Sequence, residues 1–348
     1  MTTIIRPPQF NRGSVIDRGR GRFEVRGADR PSSDGDQPLG PFLEAWLADV
    51  VRRSVRPKTF VSYRSIVRTH LIPALGAIPI ADLRPADVQD YLNAKAGSGL
   101  APRTVSYHRN ILRQALGHAE RTELVTRNVA KLAVPPRIPR REIHPLDPEQ
   151  ARRFLSAIAG ERHEALYLIA IAVGLRQGEI LGLRWSDVDL EAGTLRVRAA
   201  LQRHEGVFAF VEPKSATSRR LVPLPALVRS SLIGHRERQA AEPLRTVQPA
   251  AVLAGLVFTT TMGMPLDGIN VTRHFQRILR RAGLPRQRFH DLRHACASLL
   301  LAQGVPARVV METLGHSQIS LTLNTYSHVV PALGREAAER MNAVLTEV

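Results

Sequence analysis

Apolar residues recur every three to four positions through residues 39–134, which is the spacing of one face of an α-helix. Four or five helices are predicted in this stretch. Three of them would begin at the prolines Pro57, Pro85 and Pro102, because the first helical turn tolerates proline. No period-two alternation competes with the helical spacing, so the pattern predicts an all-helical domain at residues 39–132.

The pattern is mixed in residues 146–332. Helical spacing recurs in four segments, at residues 148–159, 164–173, 226–242 and 271–282. Alternating apolar and polar positions predict antiparallel strands at residues 194–200, 207–211 and 220–224, with a turn between the last two. The predicted fold class is therefore α+β and mainly α, with a small antiparallel sheet in the second domain.

Three further segments differ from these two domains. A proline-rich, arginine-bearing stretch at residues 133–145 predicts a stiff linker, and residues 333–348 carry the amphipathic pattern of a tail helix. Residues 1–38 are rich in Arg, Gly, Pro, Ser and Asp, which predicts a basic, disordered arm. Strand-like alternation at residues 13–15 and 21–26 leaves a short hairpin open as the alternative.

The composition adds a strong positive charge. The 348 residues carry a formal net charge of +18, which attracts polyanions such as nucleic acid. A basic protein from a GC-rich genome, in which arginine is common, is an equal alternative on charge alone. The longest apolar run, at residues 166–173, is too short to span a membrane and the N-terminus has no signal core, so a cytoplasmic, bacterial or phage-encoded protein is expected. The single cysteine, Cys296, is expected in the core.

The residues with the most chemistry lie between positions 290 and 326. His290 and Arg293 fall at the N-terminal end of a predicted helix, where free N–H groups and the helix dipole favour an anion. Gly315 is expected to stop the next helix just before His316, and a short helical or turn segment then presents Tyr326. A phenol, two imidazoles and a guanidinium in one compact unit suit nucleophilic attack on phosphorus.

Four motifs in a fixed order connect this stretch to a known family. His-x-x-Arg at residues 290–293, then Leu-Gly-His, then a tyrosine ten residues on, resemble the C-terminal half of the tyrosine recombinase (phage integrase) signature. Gly-Leu-Arg-Gln-Gly-Glu-Ile-Leu-Gly-Leu-Arg-Trp at residues 174–185 resembles its first half. Pro-Lys-Ser at residues 213–215, followed by a strand pattern, looks like the family's lysine turn. The likeness covers roughly residues 41–328, and four ordered motifs are highly specific.

This resemblance implies an architecture and an activity. The family has a helical SAM-like core-binding domain and a mixed α/β catalytic domain, which form a C-shaped clamp on double-stranded DNA. It implies a site-specific recombinase or integrase that cleaves and rejoins strands through a 3′-phosphotyrosine without a cofactor. Because two duplexes need four active sites, the expected assembly is a homotetramer on DNA, with directionality or host accessory proteins as further candidate partners.

The resemblance also implies roles for individual residues. Tyr326 would attack the phosphorus, while Arg176 and Arg293 would hold the non-bridging oxygens through guanidinium hydrogen bonds. His290 and His316 would help to hold the phosphate, and His290 would accept the phenolic proton.

Two more residues complete the implied set. Lys214 would act as general acid to the leaving 5′ oxygen. A lysine in a β-turn is usually just solvated, so this role rests on the resemblance. Glu179, one turn after Arg176, would orient a catalytic cation rather than react.

The helical domain supplies candidates for DNA contact. Six basic side chains on its predicted helices form this group: Lys58, Arg64, Arg68, Arg103, His108 and Arg109. A solvated helix face is the alternative for each of them. Phosphate contacts give affinity without sequence information, so no base contact is predicted.

Other interpretations compete for the same residues. His290 and His294 stand four apart with His316 nearby, as in some zinc sites, but no Glu follows His290 and Arg293 between the histidines would repel a cation. No metal is therefore expected. A type IB topoisomerase-like enzyme, which relaxes supercoils without exchanging partners, uses nearly the same groups and is the main alternative. A DNA-binding protein without catalysis is disfavoured by the intact set.

Overall fold

The computed structural model describes residues 15–17, 23–25, 36–139, 144–212, 219–242, 253–315, 341–342 and 345–346. The chain divides into two compact units, Met1–Arg140 and Arg141–Val348. Among the described residues, no helix is both long enough and apolar enough to cross a membrane.

The N-terminal arm contains two short strands. β1 (Val15–Asp17) and β2 (Phe23–Val25) pair antiparallel, with Ile16 opposite Glu24. This corrects the prediction of a disordered arm for these six residues and agrees with the alternative drawn from period-two alternation. The prediction of disorder comes from the composition of the whole segment, which carries no information about whether two short stretches pair as strands.

The first unit is otherwise built from helices. Their bounds are α1 (Leu39–Trp46), α2 (Arg52–Ser54), α3 (Pro57–Ile66), α4 (Ile72–Leu75), α5 (Pro85–Gly97) and α6 (Pro102–Arg121). π-Helical turns at Leu47–Val51 and Val67–Leu71 continue α1 into α2 and α3 into α4. A proline begins α3, α5 and α6, as the sequence predicts, because a first-turn N–H has no helical partner to lose.

The core of the first unit lies between these helices. Leu43, Leu71 and Leu112 are fully buried, and Trp46 stacks on Tyr63 with ring centroids 6.2 Å apart. Burial of a side chain of this kind contributes about 1.5–3 kcal/mol. The apolar faces that the helical spacing predicts are therefore the faces that the helices bury against one another.

The second unit combines helices with strands. Its helices are α7 (Pro148–Ile158), α8 (Glu164–Leu168), α9 (Gln177–Leu181), α10 (Ala226–Ala241), α11 (Gly268–Arg281), α12 (Asp291–Ala302) and α13 (Ala307–Leu314). A π-helical turn at Ile169–Val173 extends α8. Phe154 lies 6.1 Å from Tyr167 and 5.7 Å from Phe275 between ring centroids, so aromatic packing joins α7, α8 and α11.

The strands of the second unit form two separate ladders. They are β3 (Val188–Asp189), β4 (Thr194–Val197) and β7 (Arg220–Pro223) in one sheet, in the order β3-β4-β7, and β5 (Ala200–His204) with β6 (Val207–Val211) in the other. β6 and β7, between which the sequence predicts a turn, therefore do not pair with each other in this described region. β7 pairs with β4, where Val222 lies opposite Leu195 and both are buried. Burial of these apolar side chains favours that pairing.

A smaller apolar cluster joins α12 to α13. Its buried members are Cys296, Ala297, Leu301, Val310 and Leu314. Cys296 is buried as predicted, and this burial raises the pKa of its thiol to about 12. The cluster fixes the two helices that carry the C-terminal motifs.

Candidate active site

The segment that carries Arg176 is held by a glycine turn. Gly174 has a φ of +70°, and a Cβ there would approach Leu314 Cδ2 to 2.3 Å and Cys296 Sγ to 3.2 Å. Glycine permits both the positive φ and the close approach to α12 and α13. Arg176 follows two residues later as the extended N-terminal cap of α9, so its side chain starts from a fixed position.

Glu179 lies one turn into α9 and is buried. Its Oε1 accepts a 2.7 Å hydrogen bond from Arg176 Nη1, and its Oε2 accepts one of 3.1 Å from the Arg176 backbone N–H. Burial alone would raise the pKa of the Glu179 carboxyl, but the charges of Arg220 and Arg176 outweigh it and hold that pKa below its usual range. The charged carboxylate therefore has the geometry that an orienting role requires.

Arg220 is a functional candidate that the sequence analysis missed. It comes from β7, and its side chain is only 8% exposed. Its Nη2 donates a 3.2 Å hydrogen bond to Glu179 Oε2, so one carboxylate pairs with two guanidinium groups. Burial lowers the pKa of Arg220 more than Glu179 raises it, although a guanidinium still stays protonated at neutral pH. The strand pattern could have indicated Arg220, because residues two apart on a strand share a face and Val222 is buried.

Both arginines also hold the carboxyl end of α13. Arg220 Nε donates to the carbonyl oxygen of Thr313 at 2.8 Å, and Arg176 Nη2 donates to that of Gly315 at 3.0 Å. The last carbonyls of a helix lack intrahelical partners and carry partial negative charge, so cations stabilise them. Gly315 ends the helix with a φ of +67°, as predicted.

Arg293 lies on α12 and is only 2% exposed. Its Nη1 donates a 2.7 Å hydrogen bond to the carbonyl oxygen of Gly174, at the turn before Arg176. The start of α12 is fixed by Asp291, whose carboxylate accepts from the Arg288 backbone N–H at 2.7 Å and from Arg288 Nη2 at 2.7 Å. The segment that carries Arg293 and the segment that carries Arg176 thus meet at the Gly174 turn.

His290 is the N-terminal cap of α12, and although the residue as a whole is exposed, its imidazole ring packs against protein and is partly dehydrated. Its ring makes an edge contact with that of His294, with centroids 5.1 Å apart. Loss of hydration around the imidazole, and then the positive charges of His294, Arg293 and Arg176, lower the pKa of His290 to about 4. His290 is therefore neutral at pH 7, and the charges of Arg293 and Arg176 act on its ring.

Three of the predicted site residues, Lys214, His316 and Tyr326, lie outside the described residues. The described part brings Arg176, Glu179, His290 and Arg293 into one unit. Within the described ranges, no three His, Cys, Asp or Glu side chains cluster closely enough to hold a metal ion.

The candidates for DNA contact fall into different environments. His108 is fully buried, hydrogen-bonded through Nδ1 to the Tyr91 hydroxyl at 2.8 Å, so the prediction that it contacts DNA is corrected. The helical spacing already indicates this inward position, because His108 lies three residues after the buried Val105 and four before the buried Leu112. Arg109 is also engaged, because its Nε donates to the Ala133 carbonyl at 2.7 Å.

The other four candidates keep their side chains nearer the surface. Arg68 makes a two-pronged pair with Glu44, with both nitrogen–oxygen distances at 2.8 Å. Arg64 lies over the Phe60 ring at 5.6 Å, while Lys58 and Arg103 are exposed.

Comparison with known proteins identifies the family. Residues 144–332 match the model of the phage integrase family, and residues 39–96 match that of the phage integrase N-terminal SAM-like domain. The catalytic match alone covers more than half of the chain.

Individual relatives agree with this match. The chain is 35% identical over 325 residues to a tyrosine recombinase XerC-like protein of Caldanaerobacter subterraneus subsp. tengcongensis, which covers 88% of this chain and 83% of that protein. It is 32% identical over 314 residues to an integrase of Streptomyces ambofaciens, covering 88% and 79%.

Solved structures share the fold. The Tn1549 transposon integrase in complex with transposon right end DNA matches with a TM-score of 0.77 at 23% identity, covering 88% of this chain and 100% of that one. A lambda integrase dimer bound to a COC′ core site matches with a TM-score of 0.64 at 20% identity, covering 84% and 78%. The predicted mainly helical fold, with a SAM-like domain and a catalytic domain that contains small antiparallel sheets, is confirmed. The family match also favours a site-specific recombinase over the topoisomerase alternative. The chain therefore belongs to the phage integrase family of tyrosine recombinases.

Proposed function

We propose that this chain cleaves and rejoins DNA at a specific site through a covalent 3′-phosphotyrosine on Tyr326. The supporting observation is the hydrogen bond from Arg293 to Gly174. It brings the segments that carry Arg293 and Arg176 together, close enough for both charges to act on His290. Two guanidinium groups beside a neutral imidazole form a site suited to a phosphodiester.

In the proposed reaction the Tyr326 oxygen attacks the scissile phosphorus in line and the bond to the 5′ oxygen breaks. His290 accepts the phenolic proton, and Lys214 donates a proton to the leaving oxygen. The phosphotyrosine conserves the bond energy, so no external energy source is needed. Attack by the 5′ hydroxyl of a partner strand reverses the step and releases Tyr326.

The arginine network supports the charge requirements of this step. Arg176 and Arg220 share the single carboxylate of Glu179, so the group as a whole stays cationic. Arg293 adds further positive charge from a buried position, because the residue is only 2% exposed and its Nη1 is bonded to the Gly174 carbonyl. Such preorganised cations stabilise the charge that develops on a phosphorane. His316 would complete this phosphate site.

His290 has the protonation state that proton acceptance needs. With a pKa of about 4 it is unprotonated at neutral pH, so its imidazole has a free lone pair. A bound phosphate would bring negative charge close to the ring and raise its pKa, because an anion stabilises the imidazolium. Substrate binding would therefore strengthen the base.

Double-stranded DNA with a specific recombination site is the proposed substrate, and a homotetramer on DNA is the proposed assembly. Support comes from a lambda integrase tetramer bound to a Holliday junction, which this fold matches with a TM-score of 0.63. Directionality or host accessory proteins are proposed as further partners. The proposed division is an arm at 1–38, a core DNA-binding domain at 39–132, a linker at 133–145, a catalytic domain at 146–332 and a tail helix at 333–348.

The nucleophile can be tested directly. Wild-type protein is incubated with nicked duplexes that tile the DNA flanking its gene, without magnesium or ATP, and covalent adducts are separated and digested with protease. We expect a 3′-linked adduct on the peptide that contains Tyr326. Tyr326→Phe, which removes only the hydroxyl, should bind the same DNA and form none. Label on another peptide, or cleavage that EDTA blocks, would contradict the proposal.

A further inference from the structure

We infer that Arg220 is a positioning residue for strand cleavage, which aims Arg176 at the scissile phosphate through Glu179 and anchors the carboxyl end of α13. This inference rests on the proposed function and assigns a role to a residue to which the family resemblance gave none. Three parts of the catalytic unit converge on this one side chain: β7, α9 and α13.

The Glu179 carboxylate is shared between two arginines. Its Oε2 accepts from Arg220 Nη2 at 3.2 Å, while its Oε1 accepts from Arg176 Nη1 at 2.7 Å. The Arg176 side chain therefore bonds the carboxylate through one nitrogen, Nη1. An arginine facing an unshared carboxylate prefers the two-pronged arrangement. Without Arg220, Glu179 would be able to pair with both ends of the Arg176 guanidinium and turn it away from a phosphate.

Arg220 also contacts the carboxyl end of α13. Arg220 Nε donates to the Thr313 carbonyl oxygen at 2.8 Å, and a Cβ built on Gly315 would lie 2.9 Å from Arg220 Nη1. The guanidinium thus packs directly against the last turn of the helix and its glycine cap. Since His316 is the next residue along the chain, Arg220 fixes the point from which the chain continues to His316 and Tyr326.

The Arg220 guanidinium carries its charge in a nearly buried position. Arg220 is 8% exposed on a strand face that it shares with the buried Val222. Replacing a buried ion pair by apolar side chains of similar volume is often neutral or stabilising. A guanidinium in this place is therefore explained better by the hydrogen bonds it directs to Glu179 and Thr313 than by a gain in stability.

The test compares Arg220→Met and Arg220→Lys with the neighbouring Arg219→Met. Arg219 is the matched control, because its side chain is 60% exposed and pairs with the exposed Glu212. Single-turnover adduct formation is measured at saturating protein on the nicked duplex that wild type cleaves. Rates are taken below the melting transition of every variant, followed by tryptophan fluorescence. We expect Arg220→Met to be slower by about 10²-fold, as for a small misplacement of a catalytic group. Arg220→Lys should be intermediate and Arg219→Met within about twofold of wild type.

Two further measurements separate positioning from a general structural effect. If Arg220 acts through Glu179, the double variant Glu179→Gln, Arg220→Met should be less impaired than the product of the two single defects, because neighbours in one network are not additive. The loss that remains beyond Glu179→Gln alone is the share that Arg220 exerts through Thr313 and α13. A methylphosphonate at the scissile position removes one phosphate charge. On that substrate the defect of Arg220→Met should shrink by the same factor as that of Arg176→Ala.

The outcomes are distinguishable. If wild type forms no adduct on Tyr326, the proposed function fails and this inference falls with it. If wild type forms the adduct and Arg220→Met cleaves at the wild-type rate, only this inference is overturned. Additive losses in the double variant, or a defect that the methylphosphonate leaves unchanged, would also overturn it.

Discussion

Arg293 Nη1 donates a 2.7 Å hydrogen bond to the carbonyl oxygen of Gly174, 119 residues earlier in the chain. A charged donor paired to a buried carbonyl is among the stronger protein hydrogen bonds, worth about 1.5–3 kcal/mol. It makes the position of the Arg176 turn depend on α12. Stability and catalysis are therefore coupled at this turn.

Gly174→Ala tests that coupling. The added Cβ would meet Leu314 Cδ2 at 2.3 Å in a backbone with φ of +70°, so strain and overpacking combine. We expect a loss of about 2–4 kcal/mol in the free energy of unfolding, with slower adduct formation. The control is Gly160→Ala, where φ is +74° and no atom lies within 4 Å of the new Cβ. It should lose about 1–2 kcal/mol, and equal losses in the two variants would contradict the packing argument.

His108 predicts a pH dependence for the first unit. Its burial, followed by the charges of His70 and Lys95, lowers the pKa of its imidazole to about 4, against about 6.5 in an unfolded chain. The unfolded state therefore binds the proton more readily. Stability should be complete above about pH 6.5 and fall as the pH drops towards 4, by roughly 3 kcal/mol in all.

The measurement uses Trp185→Phe, which leaves Trp46 as the one tryptophan and so as a reporter of the first unit. Melting midpoints are compared between pH 7 and pH 4.5. His108→Asn should flatten the dependence, whereas the control His118→Gln on the same helix should not. A midpoint that does not move with pH in the Trp185→Phe protein would show that His108 does not titrate as stated.

Salt dependence can sort the candidates for DNA contact. Each neutralised phosphate adds roughly 0.9 to the slope of log affinity against log salt. Lys58→Ala and Arg103→Ala, at exposed positions, should each reduce the slope by about that amount if the residue binds a phosphate. Arg68→Ala should reduce it less, because Glu44 already neutralises Arg68. The slopes come from titrations at four or more salt concentrations, and a wild-type slope near zero would exclude phosphate-driven binding.

Lys214 can be tested as general acid by changing the leaving atom. An alkoxide needs a proton to leave, whereas a 5′ thiolate does not, since thiols have a pKa of roughly 8.5. Lys214→Ala should cut cleavage of ordinary DNA by about 10²–10⁴-fold and cleave a bridging 5′-sulfur substrate at close to the wild-type rate. Arg176→Ala should not be rescued, because the phosphorane charge still needs a counter-charge. If sulfur rescues both variants or neither, another residue is the acid.

The sequence predicts those parts of the fold that depend on local chemistry. Proline at the start of α6 and glycine after α13 mark helix ends, because each residue acts on its own backbone. Pairing of β7 with β4 could not be predicted in this way, since it depends on burying Val222 against distant partners. Arg220 escaped notice for the same reason: its role appears only when Glu179 and Thr313 are brought to it by the fold.

The contact between Arg176 and Gly315 spans 139 residues of chain. During synthesis at about 5–20 residues per second, Arg176 leaves the ribosome roughly 7–28 s before Gly315 does. Over that interval the nascent protein already carries its helical N-terminal unit but cannot complete the arginine network. The Arg176 guanidinium therefore gains this partner only once synthesis has passed Gly315, well after the helical N-terminal unit has been made.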